Sequence, residues 1–345
     1  MSLARSAAAT QATVGGISYG PGAEAARDPR SDLARDRGEL PQRVVSAKVS
    51  LRRRILEIWG SRELLGFLVR KELKVRYKNS VLGFVWSFLN PALILMIYYV
   101  VFKYFLHNPT PDFALFLFAG LLPWNLFNNS LLSSSGVLVA HAGIVKKVAF
   151  PREILALSQV GTAICYFFFQ TCILVVFLAG FQVLPAFGYI PLLLFALVCD
   201  VILSAALAVF LSAVNVYLRD VQHLVEVLLV ALFFSPPIVY AFADVAKALH
   251  DHAWFRWIYE ANPLMWIVVS FQRCLFGKVI PPAGKIVKNV SPLVNGRLQP
   301  YHVLPTWGAT PYWTGLACVL VGSIAMLLIA MVIFGRVEGN FAEEL

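Results

Sequence analysis

The chain has 345 residues, of which 59% are hydrophobic and only 14% are charged, and its formal net charge is +10. Soluble domains are about 45–50% apolar and about 25% charged, so this composition excludes an ordinary soluble protein. A nucleic-acid-binding surface is also disfavoured, because 16 of the 29 Lys and Arg residues lie in residues 1–80, before the first long apolar segment. The chain is therefore predicted to be a polytopic membrane protein whose partners include membrane lipids and no nucleic acid.

Residues 1–80 divide into a tail and two amphipathic helices. Residues 1–48 contain few large apolar side chains, which predicts a disordered cytoplasmic tail. Residues 49–80 predict two helices on the cytoplasmic membrane surface. In the first helix the apolar face comprises Leu51, Ile55, Ile58 and Trp59, with Arg52, Arg53 and Arg54 largely off it. In the second helix the apolar arc comprises Leu64, Leu65, Leu68, Val69, Leu73 and Val75, and the opposite basic arc comprises Arg70, Lys71, Lys74 and Lys78, with Phe67 and Arg76 as exceptions.

Residues 81–345 are predicted to form an all-α permease domain with six transmembrane helices. The apolar segments have the length of about twenty residues that a bilayer requires, and they cover 81–105, 113–132, 154–181, 190–214, 224–242 and 313–334. Pro91 and Pro123 are expected to interrupt the first two. Because the segments before span one and between spans two and three are basic, both termini are predicted to lie in the cytoplasm.

The long connection between spans five and six is expected to contain two kinds of structure. Residues 254–277 are apolar and aromatic but are interrupted at Ala261–Pro263, and neither half is long enough to span. They predict two short re-entrant helices, whose non-helical junction must be buried in protein or line a wet cavity. Residues 278–311 are polar and rich in proline, which is typical of an external loop.

No motif in the chain predicts catalysis. The Gly277-Lys278 and Gly284-Lys285 pairs lack both the upstream glycine and the following Ser or Thr of a phosphate-binding loop. The sequence also lacks HExxH, its cysteines form no CxxC pair or metal-ligand spacing, and no third ligand type clusters with His250 and His252. We therefore expect this chain not to be an enzyme and to bind no metal or other cofactor itself.

Two acidic residues inside the apolar segments are candidate functional groups, because such charges are costly in a bilayer. Asp200 lies near the middle of span four, and it fits either a wet pathway with ion coupling or a helix-to-helix hydrogen bond. Glu226 lies near the cytoplasmic end of span five and is expected to pair with Arg219 or with the basic helix.

Aromatic residues are abundant in the first two spans. They fit either an interfacial belt in contact with lipid or a pore whose rings stack on sugars. The candidate channel residues are Tyr98, Tyr99, Phe102, Phe116, Trp124 and Phe127.

The basic connection at residues 141–153 contains the sequence GIVKKVAFPRE. A short helix before Pro151, with Lys146, Lys147 and Phe150 exposed, fits a groove in a soluble partner. The alternative is an ordinary loop in which Pro151 begins the next helix.

Six short stretches together resemble one family. They are RKELKVRYKNSVLGFVW before span one, KKVAFPREILALSQV after span two, LRDV before span five, SPPIVY at its end, NPL in the re-entrant region and the terminal EGNFAEEL. In this order they are similar to the membrane subunits of ABC exporters for polysaccharides such as O-antigen, teichoic acid and capsule. The resemblance runs from about Trp59 to Leu345, excludes the tail, and leaves Pro281–Pro311 longer than is usual in the family. The Ala- and Arg-rich tail further suggests an actinobacterial exporter of lipid-linked galactan.

The resemblance implies a homodimer in the bacterial cytoplasmic membrane, bound to two copies of a separate ATPase that carries ATP and Mg. Its substrate would be a glycan on a polyprenyl diphosphate. The diphosphate and gate residues would be Arg70, Lys71, Lys74, Arg76 and Lys78. The coupling helix at about 141–153 would contact the ATPase through Lys146, Lys147, Phe150, Pro151, Arg152 and Glu153.

Three rival classes remain. A secondary transporter would show inverted repeats with charges in both halves. A polyprenyl-linked glycosyltransferase or phosphatase would need clustered acids or histidines. An ABC permease for a drug or another lipid would share the fold, and it is distinguished mainly by lacking the basic helix and the NPL segment.

Overall fold

The computed structural model describes residues 51–345 except for 77, 79–81, 83–84, 108–109, 111–112, 149, 181, 243, 246–252, 277–292, 295–296, 299–302 and 306. The predicted disordered tail, 1–48, lies outside the described residues. The described chain is helical apart from its loops and one pair of two-residue strands.

The helices of the first half begin with two short ones and continue into the long apolar ones. In chain order they are α1 (Leu51–Gly60), α2 (Arg62–Arg76), α3 (Trp86–Tyr99, followed by a π-helical stretch at Val100–Phe105), α4 (Phe113–Ser135), the single-turn α5 (Val137–Ala140) and α6 (Ala142–Val145), and α7 (Glu153–Gly180).

The second half adds two long helices and several shorter elements. In chain order they are α8 (Ile190–Tyr217, preceded by a 3-10 turn at Phe187–Tyr189), α9 (Val221–Phe233), α10 (Ala253–Glu260), α11 (Pro263–Leu275), β1 (Leu293–Val294), β2 (Arg297–Leu298), α12 (Ala309–Val337, followed by a 3-10 turn at Glu338–Asn340) and α13 (Phe341–Glu344).

Within the described residues, five helical segments are long and apolar enough to cross a membrane. They are Phe88–Phe105, Phe113–Ser135, Glu153–Gly180, Phe187–Tyr217 and Ala309–Asn340. Each overlaps a predicted span and differs from it by a few residues at the ends. The expected interruptions at Pro91 and Pro123 are wrong, because α3 and α4 continue through them. A transmembrane helix tolerates the one lost N–H when neighbouring groups or a local π-helical stretch accommodate it.

The predicted fifth span, 224–242, is helical only in its first part. The 13 residues of α9 rise about 20 Å, which is less than the ~30 Å of a hydrocarbon core. The helix ends before Pro236 and Pro237, because proline lacks an N–H and disfavours helix in the residue before it. The following chain is buried, and Nε2 of Gln272 donates to the carbonyl oxygen of Pro237 at 2.7 Å. The count of six spans stays a prediction.

The predicted re-entrant region does contain two short helices. They meet at Ala261, and Oδ1 of Asn262 caps α11 by accepting a hydrogen bond from the backbone N–H of Leu264 at 3.0 Å. Most of α11 is buried, whereas Trp254 and Trp257 of α10 are exposed. Insertion of this pair into the outer leaflet stays a prediction.

The predicted external loop, 278–311, lies mostly outside the described residues. Its described part includes β1 and β2, which pair antiparallel with Leu293 opposite Leu298. Its last residues, from Ala309, already belong to α12.

The centre of the fold is α4, which packs against α7, α8 and α11. Most of its apolar side chains are buried nearly completely, with Leu132 near its end as an exposed exception. A second buried core joins α2 to α5, α6, the beginning of α7 and the C-terminal end of the chain. It includes Leu68, Leu138, Val145, Ile154, Phe334 and Phe341. The helix α2 is therefore held by protein on its apolar side. This differs from the expected position with that side in lipid.

Candidate functional site

Two stripes of polar side chains face each other along α4 and α7. The stripe on α4 comprises Asn125, Asn128, Asn129 and Ser133, and the stripe on α7 comprises Gln159, Thr162, Tyr166 and Gln170. Spacings of three and four residues place each set on one face of its helix. The stripes are joined where Nδ2 of Asn125 donates to Oε1 of Gln170 at 3.0 Å. Amides in a membrane span are retained for helix contacts or for a wet surface.

The C-terminal end of the stripe on α4 and the N-terminal end of the stripe on α7 border a cavity of about 250 Å³ beside α2. We call this cavity the inner chamber, and it is lined by Glu72, Val75, Arg76, Asn129, Ser133, Gln159, Thr162, Ala163 and Tyr166. The guanidinium carbon of Arg76 lies 4.8 Å from the centre of the Tyr166 ring, a cation–π distance. The inner chamber therefore contains one cation, one carboxylate and several neutral hydrogen-bonding groups.

A second cavity, of about 340 Å³, adjoins the inner chamber and shares Glu72, Ser133 and Gln159 with it. Its wall includes His141, whose Nε2 lies 3.3 Å from Nζ of Lys71 and 3.7 Å from Oε1 of Glu72. Because the lysine ammonium can only donate, this geometry fits a neutral imidazole that accepts at Nε2 and donates from Nδ1 to the carbonyl oxygen of Val137. His141 thus connects α2 to the turn between α5 and α6.

A third cavity, of about 400 Å³, is aromatic and shares Leu132 and Glu226 with the second. Its other lining residues are Tyr98, Trp124, Asn128, Leu229, Val230, Phe233 and Phe234. The rings of Tyr98 and Phe233 stack with centres 5.6 Å apart. We call the three adjoining cavities the groove, which runs from polar walls at α2 to aromatic walls between α3, α4 and α9.

The groove contains two of the six predicted channel aromatics, Tyr98 and Trp124. Phe116 and Phe127 are instead buried in the core, at 0% and 2% exposure. Phe102 packs on Phe113 with ring centres 5.9 Å apart. Tyr99 lies edge-on to Tyr104. Phe233 and Phe234 of α9 were missed, although their position within the apolar segment 224–242 was visible in the sequence.

The basic residues of α2 separate into two groups. Arg70, Lys74 and Lys78 are exposed, and we call them the basic stripe. Lys71 is half-buried and lies beside His141, whereas Arg76 is exposed but also lines the inner chamber. The single basic arc expected from the helical wheel is therefore divided between the surface and the groove.

The predicted coupling segment, 141–153, also has two sides. Lys146 and Lys147 form an exposed turn after α6, which ends at Val145. The expected exposure of Phe150 is not observed, because it is half-buried against the second core, and Pro151 is also half-buried. No helix runs up to Pro151, since residues 146–148 and 150–152 are not helical.

The last two residues of that segment, Arg152 and Glu153, belong to a charge cluster that is centred on the buried side chain of Arg54. Its Nη1 lies 2.9 Å from Oε1 of Glu153, and its Nη2 pairs with Oε2 of Glu338. Nη1 of Arg152 donates to the carbonyl oxygen of Glu338 at 2.6 Å. A Cβ on Gly335 would lie 2.6 Å from Nη1 of Arg54, so a side chain at position 335 would displace the guanidinium from its present position. Arg54, which was expected to lie largely off the apolar face of α1, is buried at 8% exposure, whereas Ile55 and Trp59 of that face are exposed.

The two intramembrane acids have different surroundings. Asp200 is fully buried in α8, and neither carboxylate oxygen has a hydrogen-bond partner among the described residues, unlike the expected helix-to-helix bond. Glu226 lines the groove, and its Oε2 lies 3.8 Å from Nδ1 of His223. Among the described residues, the expected pairing with Arg219 or with the basic helix is not observed. Among the described residues, no group of three His, Cys, Asp or Glu side chains could hold a metal ion.

Comparisons with known proteins agree with one another. A family model described as ABC-2 type transporter matches residues 63–276. An O-antigen export system permease protein RfbA of Klebsiella pneumoniae is 30% identical over 283 residues, which are 82% of this chain and 95% of that protein. An RfbA of Myxococcus xanthus is 31% identical over 235 residues, 68% of this chain and 88% of that protein. The polysialic acid transport protein KpsM of Escherichia coli is 26% identical over 206 residues, 58% of this chain and 76% of that protein.

Proposed function

Since this chain belongs to the ABC-2 type transporter family, we propose that it is the membrane subunit of an exporter that moves a polyprenyl-diphosphate-linked polysaccharide out of the cytoplasm. The relatives named for O-antigen and polysialic acid transport support the substrate class. The galactan suggested by the composition of the tail is our specific candidate.

The groove is the observation that carries this proposal. Its amides and hydroxyls can replace water around sugar hydroxyl groups, and its aromatic end offers ring faces on which a sugar can stack. A path for a purely apolar substrate would not need a stripe of three asparagines in a membrane span. A polymer of sugars can interact with both parts of the groove, because its hydroxyl groups hydrogen-bond to the polar residues and its rings stack on the aromatic ones.

We propose that a second copy of the chain closes the groove. The helix α9 exposes Leu224, Val227 and Leu228 at 58–70%, and Glu226 is exposed between them. A carboxylate facing lipid is costly, whereas one facing a wet path between two copies is solvated. The face of α9 thus fits a homodimer contact that borders the path.

ATP would be hydrolysed on a separate ATPase subunit, two copies of which would bind the dimer. The exposed Lys146–Lys147 turn would contact that subunit on the cytoplasmic side, where both termini of this chain would also lie. The charge cluster would carry the movement of this segment to α1 and to the turn after α12, because Arg54 of α1 pairs with both Glu153 and Glu338.

Reconstitution tests the function directly. The permease and its ATPase would be placed in vesicles with the producing cell's own lipid-linked glycan in the outer leaflet, with the ATPase facing outward. We expect ATP to move the glycan to the lumen, where an impermeant glycosidase or periodate no longer attacks it. ATP-dependent movement of an apolar dye or a phospholipid, with the glycan left outside, would contradict the proposal.

A further inference from the structure

Arg273, in the last turn of α11, is a buried cation with 8% exposure. A guanidinium has five N–H donors, and a buried charge is normally paired with an opposite charge and hydrogen-bonded. Among the described residues, Arg273 has no ion pair and makes one hydrogen bond, in which Nη2 donates to the hydroxyl oxygen of Tyr189 at 3.5 Å. Its Nε is buried without a partner. Most of the hydrogen-bonding capacity of this cation is therefore unused.

The segments around Arg273 offer no carboxylate to neutralise it. The chain contains no Asp or Glu between Glu153 and Asp200, nor between Glu260 and Glu338. The first of these stretches includes Tyr189, and Asp200 lies about 16 Å further along α8. The buried Arg54 differs, because two carboxylates of the chain itself pair with it. The partner of Arg273 is therefore expected to come from outside the chain.

The guanidinium of Arg273 is held against an aromatic ring. Its carbon lies 5.2 Å from the centre of the Tyr189 ring, a cation–π distance. The backbone N–H of Ala186 donates to the carbonyl oxygen of Cys274 at 2.8 Å, which fixes the turn that carries Tyr189 to the end of α11. The fully buried phenol of Tyr312 lies near enough for the charge of Arg273 to act on it. A planar guanidinium presents paired N–H groups, which match two oxygens of a phosphate.

This site lies at the depth of lipid headgroups. The 28 residues of α8 and the 29 residues of α12 each rise about 42–44 Å, which exceeds the ~30 Å of a hydrocarbon core. Tyr189 directly precedes α8, and Tyr312 lies in the first turn of α12. Both are at the end of the bundle opposite the charge cluster, where the predicted topology puts the outer leaflet. Lipid phosphates are the abundant anions at that depth.

We propose that Arg273 binds a lipid phosphate group at the outer membrane surface, with Tyr189 supporting its guanidinium. The phosphate belongs either to a phospholipid of the outer leaflet or to the diphosphate of a lipid-linked substrate that has crossed, since both offer the same oxygens. The site goes beyond the proposed function, because it binds phosphate whichever molecule is exported. Binding would supply the counter-charge that the chain lacks and would attach the end of α11 to the membrane surface.

Photocrosslinking tests this site by its position. The probe is a phosphatidylglycerol with a diazirine in its headgroup, added to the delipidated complex of the permease and its ATPase in neutral detergent. Mass spectrometry of the peptides should find the probe attached next to Tyr189 and Tyr312. We expect Arg273→Gln to reduce this attachment about tenfold, because charge-assisted hydrogen bonds are lost. Arg219→Gln removes an exposed arginine at the other end of the bundle and should leave the attachment unchanged.

Competition in the unsubstituted complex tests the chemistry, and it remains decisive if Arg273→Gln does not fold. Excess unlabelled phosphatidylglycerol or polyprenyl diphosphate should suppress the attachment, whereas dioleoylglycerol, which has no phosphate, should not. Suppression by polyprenyl diphosphate at about a tenfold lower concentration than phosphatidylglycerol would assign the site to the substrate, and any weaker preference would assign it to the phospholipid.

Three results would overturn the proposal. The first is equal competition by dioleoylglycerol, since the acyl chains would then account for the binding. The second is undiminished attachment in Arg273→Gln protein that elutes as the intact complex. The third is an absence of probe from the peptides that contain Tyr189 and Tyr312 in the unsubstituted complex.

Discussion

Nη1 of Arg54 lies 2.9 Å from Oε1 of Glu153, which joins α1 to the first residue of α7. Glu153 is completely buried, and the same guanidinium also pairs with Glu338, 284 residues later in the chain. Arg54 therefore holds together the beginning of the described chain, the end of the predicted coupling segment and the turn after α12.

Loss of this guanidinium should destabilise the fold. We expect Arg54→Ala to lower the free energy of unfolding by about 3–5 kcal/mol, because it leaves Glu153 buried without a compensating charge. Titration of purified protein with dodecyl sulfate in mixed micelles would measure the change. Arg53→Ala is the matched control, because Arg53 makes an exposed pair with Glu57 at 3.0 Å that is worth less than about 1 kcal/mol. Equal losses in the two variants would contradict a structural role for the cluster.

The Lys146–Lys147 turn should bind the ATPase subunit. We expect Lys146→Glu with Lys147→Glu to abolish co-purification of the two subunits, because these exposed cations would meet acidic groups on the partner. Arg52→Glu with Arg53→Glu reverses two equally exposed charges on α1 and should leave the yield of complex unchanged. An unchanged yield for the lysine variant would remove the turn from the interface.

The basic stripe should be needed for export but not for assembly. Replacing Arg70, Lys74 and Lys78 by glutamine removes exposed cations that we propose attract the diphosphate of the substrate, and surface glycan should be lost. The same change at the exposed Arg52, Arg53 and Arg62 is the control for net charge. Normal amounts of glycan on the cell surface of the stripe variant, measured by antibody binding, would exclude the assigned role.

The docking of α2 on α7 should depend on Gly161. A Cβ at this position would lie 2.8 Å from Cγ2 of Val69, so Gly161→Ala should cost about 1–3 kcal/mol of stability and reduce export. Val69→Ala in the same chain removes the colliding methyl group and should restore much of the stability and much of the export.

The control for that change lies on the same helix. Gly180→Ala introduces the same methyl group at the end of α7, where nothing lies within 4 Å of it, and it should have little effect. A double-mutant cycle would give the coupling between positions 69 and 161. A coupling of zero would show that the two helices do not meet there.

Five of the long helices could be predicted from the sequence because a run of about twenty apolar residues is itself the signal. The same signal does not give the end of the helix at 224–242, where the length is sufficient but Pro236 and Pro237 end α9 first. The stripe of Asn125, Asn128, Asn129 and Ser133 was also readable from its spacing, since it needs only the period of a helix.

The charge cluster was not predictable in this way. Arg54 lies in a run of three arginines, and nothing local distinguishes it from Arg53, which is exposed. Its partners Glu153 and Glu338 are distant in sequence, and only the packing of three segments brings them together. The division of the basic residues of α2 has the same origin, because Arg76 is placed by Tyr166 of α7.

Crosslinking in the groove during transport tests most directly whether the glycan moves along it. A photoreactive amino acid would be placed at position 128, in the aromatic cavity, and at Val176, an equally hydrophobic setting on the exposed face of α7. With the ATPase subunit, ATP and radiolabelled lipid-linked glycan, we expect labelled glycan to be attached at position 128 and not at position 176. Attachment at position 176 alone, or none at position 128 while export proceeds, would contradict it.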